Sequence, residues 1–183
     1  MLGRYMSYNV KVYKCPSDNY VSDLQRSLGW KERIRSVSMN WFVGPGPWYV
    51  GNPNTKPLIF SKYRTFPKTS SYVTMSPAEN WIIIDEHPDS LRDANFEIPV
   101  NAAGPTTSWS SLPSGDHNRA GTIAFADGHT EIKKWVAPST IVPVRYAPPG
   151  WAPSTDRRDF EWLLSHSTER VDGRPVIGIP SSE

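Results

Sequence analysis

Prolines restrict the folding of this chain more than any other feature, because 18 of its 183 residues are proline. Each proline fixes its own φ and lacks the amide hydrogen that helices and central strands need. Together with the 12 glycines, the prolines predict many turns and few long helices. We expect one α+β, β-rich domain over residues 1–183, with a small antiparallel sheet, long Pro/Gly-rich loops and one C-terminal helix.

Three segments have the residue patterns of strands. Apolar and polar residues alternate in residues 9–18 up to Pro16, and less regularly in residues 33–43, so each segment predicts a strand. Trp81 to Ile84 form a continuous apolar run, which is typical of a strand covered on both faces. Acidic residues follow this run at once and mark the end of the strand.

Residues 122–135 predict a β-hairpin whose turn is Asp127-Gly128. A two-residue loop of type I′ sets Ile123 opposite Ile132, and these two residues then share the core face with Phe125. The opposite face carries small and polar residues, namely Ala124, Ala126, His129, Glu131 and Lys133.

The one helix that the sequence predicts with a clear pattern lies in residues 154–170. Ser154 or Thr155 is placed to cap its first turn. An apolar stripe at the spacing i, i+3, i+4 indicates the face that packs on the sheet, and it consists of Phe160, Leu163 and Leu164.

Charge and composition exclude several classes of function. The net charge is +2 and no basic block occurs, so nucleic acid is not an expected partner. Cys15 is the one cysteine, so no disulfide can form within the chain. No apolar run approaches the ~20 residues of a membrane-spanning helix, and residues 1–18 lack the pattern of a signal peptide.

The acidic end of the Trp81–Ile84 run is the first candidate site. Four carboxylates lie within nine residues, namely Asp85, Glu86, Asp89 and Asp93. Like charges this close favour a neutralising cation, and Ca²⁺ prefers clustered carboxylates on loops. The pattern therefore indicates a solvated acidic loop that ends the strand or, as the functional alternative, a Ca²⁺ site.

Paired carboxylates are the second candidate. Glycoside hydrolysis needs two carboxyl groups about 5–9.5 Å apart, and Asp85 or Glu86 could form such a pair with Asp127 or Glu131 if their strands are neighbours. Aromatic and imidazole groups near the turns are candidate contacts to a carbohydrate, namely Trp48, Tyr49, Trp109 and His129. The alternative for the tryptophans is packing in the core or under a loop.

The face of the predicted hairpin that carries Ala124, His129 and Glu131 is the predicted functional surface, together with the neighbouring strand end at Asp85 and Glu86. His117 and Asp127 are expected to be architectural. Cys15 lies at a strand end beside proline and lysine and is expected to be structural.

Several short motifs occur together in a fixed order along nearly the whole chain. They are YKCPSD (13–18), RSVSMN (35–40), IDEHPDS (84–90), His117 separated by nine residues from Asp127-Gly128, FADGHTEI (125–132) and DFEWLL (159–164). In these motifs the chain resembles the prepilin-type proteins of Planctomycetes and Verrucomicrobia, which are related to the pseudopilins of type II secretion.

The resemblance implies a pseudopilin-like globular head in the periplasm or on the cell surface. Members of the family begin with a basic leader, a processing site and a long apolar helix, none of which has a counterpart in this sequence. The expected function is assembly or ligand binding in the envelope, with self-association and a structural Ca²⁺ ion as possible features. The alternatives are a glycoside hydrolase and a carbohydrate-binding module without catalysis.

Overall fold

The computed structural model describes residues 2–44, 62–100, 108–146 and 156–176. The strands in these ranges are β1 (Val37–Asn40), β2 (Trp81–Asp85), β3 (Asn95–Phe96), β4 (Ala120–Phe125) and β5 (Thr130–Lys134), and the α-helices are α1 (Asp23–Ser27) and α2 (Arg158–Ser165). The strands form one five-stranded sheet in the order β3-β1-β2-β4-β5. The predicted α+β, β-rich fold class is confirmed.

Strand β2 is the centre of the sheet and pairs antiparallel with β1 and with β4. Trp81 and Ile84 have no exposed surface, whereas Ile82 and Ile83 are half-buried. The predicted strand is therefore confirmed, but its second face is only partly covered. The buried core combines sheet residues with residues of α2 and the loops, including Phe42, Phe66, Phe96, Trp109, Ile123 and Trp135.

The predicted strand in residues 33–43 is shorter in the structure and covers only β1. Its inward side chains are polar: Ser38 and Asn40 are almost fully buried. Asn40 donates through its Nδ2 to the carbonyl oxygens of Trp81 (2.8 Å) and Ser167 (3.0 Å), and so joins β1 to β2 and to the segment after α2. Strand β3 adds to the other edge of β1 in the parallel direction, so the sheet is mixed and not purely antiparallel as predicted.

Strands β4 and β5 form the predicted hairpin, but its loop has three residues instead of two. The amide of Phe125 donates to the carbonyl of His129, and the amide of Gly128 donates to the carbonyl of Phe125. Gly128 has a φ of +96°, as expected for a type I turn followed by a glycine bulge. The predicted type I′ turn is therefore wrong.

The extra loop residue shifts the pairing by one position, so Ile123 lies opposite Glu131 and Thr122 opposite Ile132. A shift of one residue moves every side chain of β5 to the other face. Ile132, predicted in the core, is accordingly 71% exposed. The predicted functional face of the hairpin is not formed, because Glu131 and Ala124 lie on opposite faces.

The predicted strand in residues 9–18 is wrong. Val10–Tyr13 form a 3₁₀ helix whose first turn is capped by Asn9, since the Asn9 side chain accepts a hydrogen bond from the amide of Lys11. Val10 and Val12 are exposed. The local hydrogen bond of Asn9 competes with an extended conformation, and these valines have no sheet face to cover.

Helix α2 confirms the predicted C-terminal helix and its apolar face, because Phe160, Leu163 and Leu164 are all buried. The helix begins later than predicted, with Arg157 at the N-cap position and no side-chain cap, while Ser154 and Thr155 lie outside the described residues. Within the ranges that the structure describes, no helix is long and apolar enough to cross a membrane.

Candidate functional site

The two carboxylates at the end of β2 serve different parts of the sheet. Asp85 accepts a 3.1 Å hydrogen bond at its Oδ2 from the amide of Thr122 in β4. Glu86 accepts hydrogen bonds from the hydroxyls of Ser38 in β1 and Ser90 in the following loop. The side chains of these two consecutive residues therefore point toward different strands, Asp85 toward β4 and Glu86 toward β1.

The two carboxylates farther along the loop also have separate partners. Asp89 accepts hydrogen bonds from the amides of Arg145 (2.7 Å) and Tyr146 (2.8 Å), and Asp93 accepts one from the amide of Asn95 (2.9 Å). The four acidic residues of this segment thus do not form the predicted Ca²⁺ cluster. In residues 2–44, 62–100, 108–146 and 156–176, no group of three or more His, Cys, Asp or Glu side chains is placed to hold a metal ion.

Glu86 is the most deeply buried of these acids, with 1% of its surface exposed. Burial raises its pKa from 4.5 to about 7, although hydrogen bonds from Ser38 and Ser90 and the charge of Arg35 act in the opposite direction. The sequence predicted an exposed acid at a strand end, whereas the structure places this carboxyl inside the protein.

The predicted pairing of carboxylates across the sheet is not formed either. Ile84, Ile123 and Glu131 lie opposite one another on one face, so the adjacent Asp85 lies on the other face. Glu86 reaches toward β1, away from β5. Asp127 follows the end of β4 that pairs with the start of β2. These carboxyl groups therefore do not flank one glycosidic bond.

Asp127 and His129 form a contact of their own at the hairpin loop. The Oδ1 of Asp127 lies 2.6 Å from the Nδ1 of His129 and accepts the amide of His129 at 3.0 Å. Both hydrogen bonds lower the pKa of Asp127, and the one from the backbone amide of His129 has the larger effect. The imidazole ring stacks on Phe125 with a centroid distance of 4.3 Å. Asp127 thus shapes the loop, in accordance with its predicted architectural role.

The predicted carbohydrate contacts are not gathered in one place among the described residues. Trp109 is 3% exposed and packs edge-to-face against Phe160 of α2. Its indole belongs to the core and offers no face to a sugar. Trp48 and Tyr49 lie outside the described residues.

His117 has a different environment from the one predicted. Its Nε2 lies 3.3 Å from the Sγ of Cys15 and 3.6 Å from the Oδ2 of Asp85. The His117 side chain is 31% exposed, and Cys15 is half-buried. The structure thus joins a thiol, an imidazole and a carboxylate at a position that solvent reaches.

No local pattern pairs Cys15 with His117, because 102 positions separate them. Both residues belong to motifs that carry the family resemblance, namely YKCPSD and the histidine that nine residues separate from Asp-Gly. Their presence in these motifs was the only feature of the sequence from which their pairing could have been predicted.

The N-terminal segment presents an unusual amount of apolar surface. Of the fourteen large apolar side chains that are exposed in the described part of the chain, nine lie between residues 5 and 34. We call these nine the N-terminal surface: Tyr5, Met6, Tyr8, Val10, Val12, Leu24, Leu28, Trp30 and Ile34. Neither the 3₁₀ helix Val10–Tyr13 nor helix α1 contains a buried residue.

The charged side chains of the same segment largely pair within it. Arg33 and Asp18 form a buried ion pair of 2.6 Å, and Lys14 contacts Glu32 at 2.7 Å. A third pair within helix α1 joins Arg26 to Asp23 at 2.8 Å. These pairs balance six charges and leave the exposed apolar groups as the dominant chemistry of the segment.

Comparison of the chain with known proteins identifies no relative of it. No family model matches the chain, and neither the curated proteins nor the solved structures include a significant match.

Proposed function

We propose that this chain is a pseudopilin-like globular head, located in the periplasm or on the cell surface, whose copies assemble through the N-terminal surface. One observation carries the proposal: nine large apolar side chains are exposed within the first 34 residues. The motif resemblance to prepilin-type proteins supports the same function, because such proteins act as assemblies of like subunits.

The density of these residues is the physical argument for an interface. A single exposed apolar side chain is common on any protein, but nine of them within one segment of 30 residues indicate a site of association. Leu24 in α1 and Leu28 at its C-cap are four positions apart, and the amide of Leu28 donates to the carbonyl of Leu24 at 3.1 Å, so the two residues lie on the same side of the helix. They are 71% and 65% exposed, so both can be buried fully by a partner.

A second copy of the chain is the partner that suits this surface best. The ion pairs within the segment leave no strong single-sign field that would select a highly charged partner. Lys11 and Lys31 lie outside these pairs, so the segment keeps a small positive charge, but its apolar side chains can still be complementary to those of a second copy around a two-fold axis. Carbohydrate and Ca²⁺ are not included in the proposal, because the residues predicted to bind them do not converge in the described ranges.

Sedimentation velocity over a range of protein concentrations tests the proposal. We expect the sedimentation coefficient of the wild type to rise with concentration, and the double substitution Leu24→Gln/Leu28→Gln to weaken association. Loss of one buried leucine side chain corresponds to about 1.5–3 kcal/mol, or a tenfold to hundredfold weaker affinity.

Val73→Gln is the matched control, since Val73 is 73% exposed but lies outside the N-terminal surface. This variant should associate like the wild type. A wild type that remains monomeric into the high-micromolar range would overturn the proposal, and so would equal weakening by the control and the double variant.

A further inference from the structure

We propose that Cys15 and His117 form a nucleophilic thiol site that exchanges with low-molecular-weight disulfides. The Sγ of Cys15 lies 3.3 Å from the Nε2 of His117, within reach of a hydrogen bond between thiol and imidazole. A nucleophile beside a base is the arrangement that activates a cysteine. This site is independent of the N-terminal surface and of assembly.

The backbones of Cys15 and His117 are each held in place by hydrogen bonds. The amide of Cys15 donates a 2.7 Å hydrogen bond to the Oγ of Ser36, and its carbonyl accepts the amide of Asp18. The amide of His117 donates to the carbonyl of Ala120 at 3.1 Å. These hydrogen bonds thus hold the backbones of both residues in place.

The nitrogen that faces the thiol also faces a carboxylate. The Oδ2 of Asp85 lies 3.6 Å from the same Nε2 and is held in place by the amide of Thr122. When Nε2 accepts the proton of Cys15, the imidazolium lies between the thiolate and the carboxylate. The positive imidazolium attracts both the thiolate and the carboxylate, and this attraction favours the transfer of the proton from Cys15 to His117. Asp85 is therefore a positioning residue for His117.

The chemistry of the site favours a disulfide over an acyl group as the reaction partner. Acyl transfer needs donors for an oxyanion, but the amide of Cys15 is already occupied by Ser36. Exchange needs no oxyanion site: the Cys15 thiolate attacks one sulfur of R–S–S–R, a new S–S bond forms, and the old one breaks. The leaving thiolate takes the proton from Nε2. The sulfur of Cys15 is oxidised, and the sulfur of the reagent that leaves as a thiol is reduced.

Reaction with oxidised glutathione, followed by mass spectrometry of the intact protein, tests this site. The reference is the variant Cys15→Ser/Ser17→Cys, which moves the thiol two positions to an exposed residue. We expect the wild type to react about tenfold faster or more than this reference, and His117→Gln to remove the advantage. Asp85→Asn should slow the reaction less and alter its pH–rate profile, which a purely structural role would leave unchanged.

The comparison between the wild type and the displaced thiol decides the proposal even if His117→Gln fails to fold. A wild type that reacts no faster than the displaced thiol would overturn it. A folded His117→Gln variant that reacts at the wild-type rate would overturn it as well.

Discussion

The hydroxyl of Ser90 donates a 2.9 Å hydrogen bond to the Oε1 of Glu86. The other carboxyl oxygen of Glu86 accepts the hydroxyl of Ser38 from the neighbouring strand β1. One buried carboxyl group therefore joins β1, the end of β2 and the loop after it. Because this group can lose a proton near neutral pH, the junction of these three elements depends on pH.

We expect Glu86 to make the fold less stable as the pH rises from about 4.5 to 7. The pKa of Glu86 is raised from 4.5 to about 7 in the folded protein, so over this interval the folded state holds a proton that the unfolded chain releases. Its stabilising contribution is complete below the unfolded pKa and is lost as the pH passes the folded value. At about 1.4 kcal/mol per pKa unit, the loss is at most about 3 kcal/mol. Urea unfolding at several pH values measures it.

Glu86→Gln isolates this contribution, because it keeps a polar group of similar shape without the titration. His87 acts in the opposite direction, since burial lowers its pKa and its contribution grows as the pH rises toward neutrality. The difference between wild type and Glu86→Gln removes the effect of His87. An identical dependence of the unfolding free energy on pH in both proteins would contradict the role given to Glu86.

Gly128→Val should destabilise the hairpin through the backbone alone. Gly128 has a φ of +96°, and an added Cβ would meet nothing within 4 Å. The cost is therefore conformational, about 1–3 kcal/mol for a residue held in a sparsely populated region. Gly128→Asn should cost less, because asparagine tolerates positive φ better. Thermal unfolding measures both, and equal stability of the valine variant and the wild type would exclude the observed turn.

The sequence predicted those parts of the fold that depend on local patterns. The spacing of Phe160, Leu163 and Leu164 identified the buried face of α2, and Asp127-Gly128 located the hairpin. The register of the hairpin was missed because a two-residue and a three-residue loop both place glycine at a left-handed position and differ by one residue. Helix α1 had an unused signal, the capping box formed by Ser22 and Gln25.

The site residues were harder to predict because their environments arise from distant parts of the chain. Glu86 follows an apolar strand, as an exposed acid would, but in the interior it accepts a hydrogen bond from Ser38, which lies 48 positions earlier in the sequence. His117 meets Cys15 only after the sheet and the N-terminal segment are in place. No local pattern contains this information, so residue type and spacing alone favoured an exposed acid and an architectural histidine.

Gly121→Ala should destabilise the start of β4 by close contact. A Cβ at Gly121 would lie 2.8 Å from the carbonyl oxygen of Ser114 and 3.3 Å from the indole of Trp135. The same oxygen accepts the indole N–H of Trp135 at 2.8 Å, so neither group can move without loss of that bond. We expect about 1–3 kcal/mol of destabilisation, as for overpacking in a core.

Gly115→Ala is the control for this substitution, because the nearest atom to its added Cβ is the Cα of Arg119 at 3.8 Å, an ordinary contact. The alanine at this position should leave the midpoint of urea unfolding nearly unchanged. If the two alanine variants unfold at the same urea concentration, the close approach at Gly121 is relieved at no cost and the prediction fails.

Asp159→Ala should weaken the attachment of α2 to the sheet. The carboxylate of Asp159 is 2% exposed, and its Oδ2 accepts the amides of Val136 (3.0 Å) and Ala137 (2.8 Å), which directly follow β5 and Trp135. Alanine leaves both amides without this acceptor, at a cost of about 1–3 kcal/mol for the buried amide of Ala137, whereas water can reach Val136, which is 46% exposed. Asp159→Asn keeps one oxygen acceptor and should lose less stability.

Asp156→Ala is the matched control: Asp156 pairs with Arg158 at the surface, and such pairs contribute about 0–1 kcal/mol. Urea unfolding ranks the three variants, and a loss for Asp159→Ala no larger than that for Asp156→Ala would mean that water replaces the carboxylate at these amides.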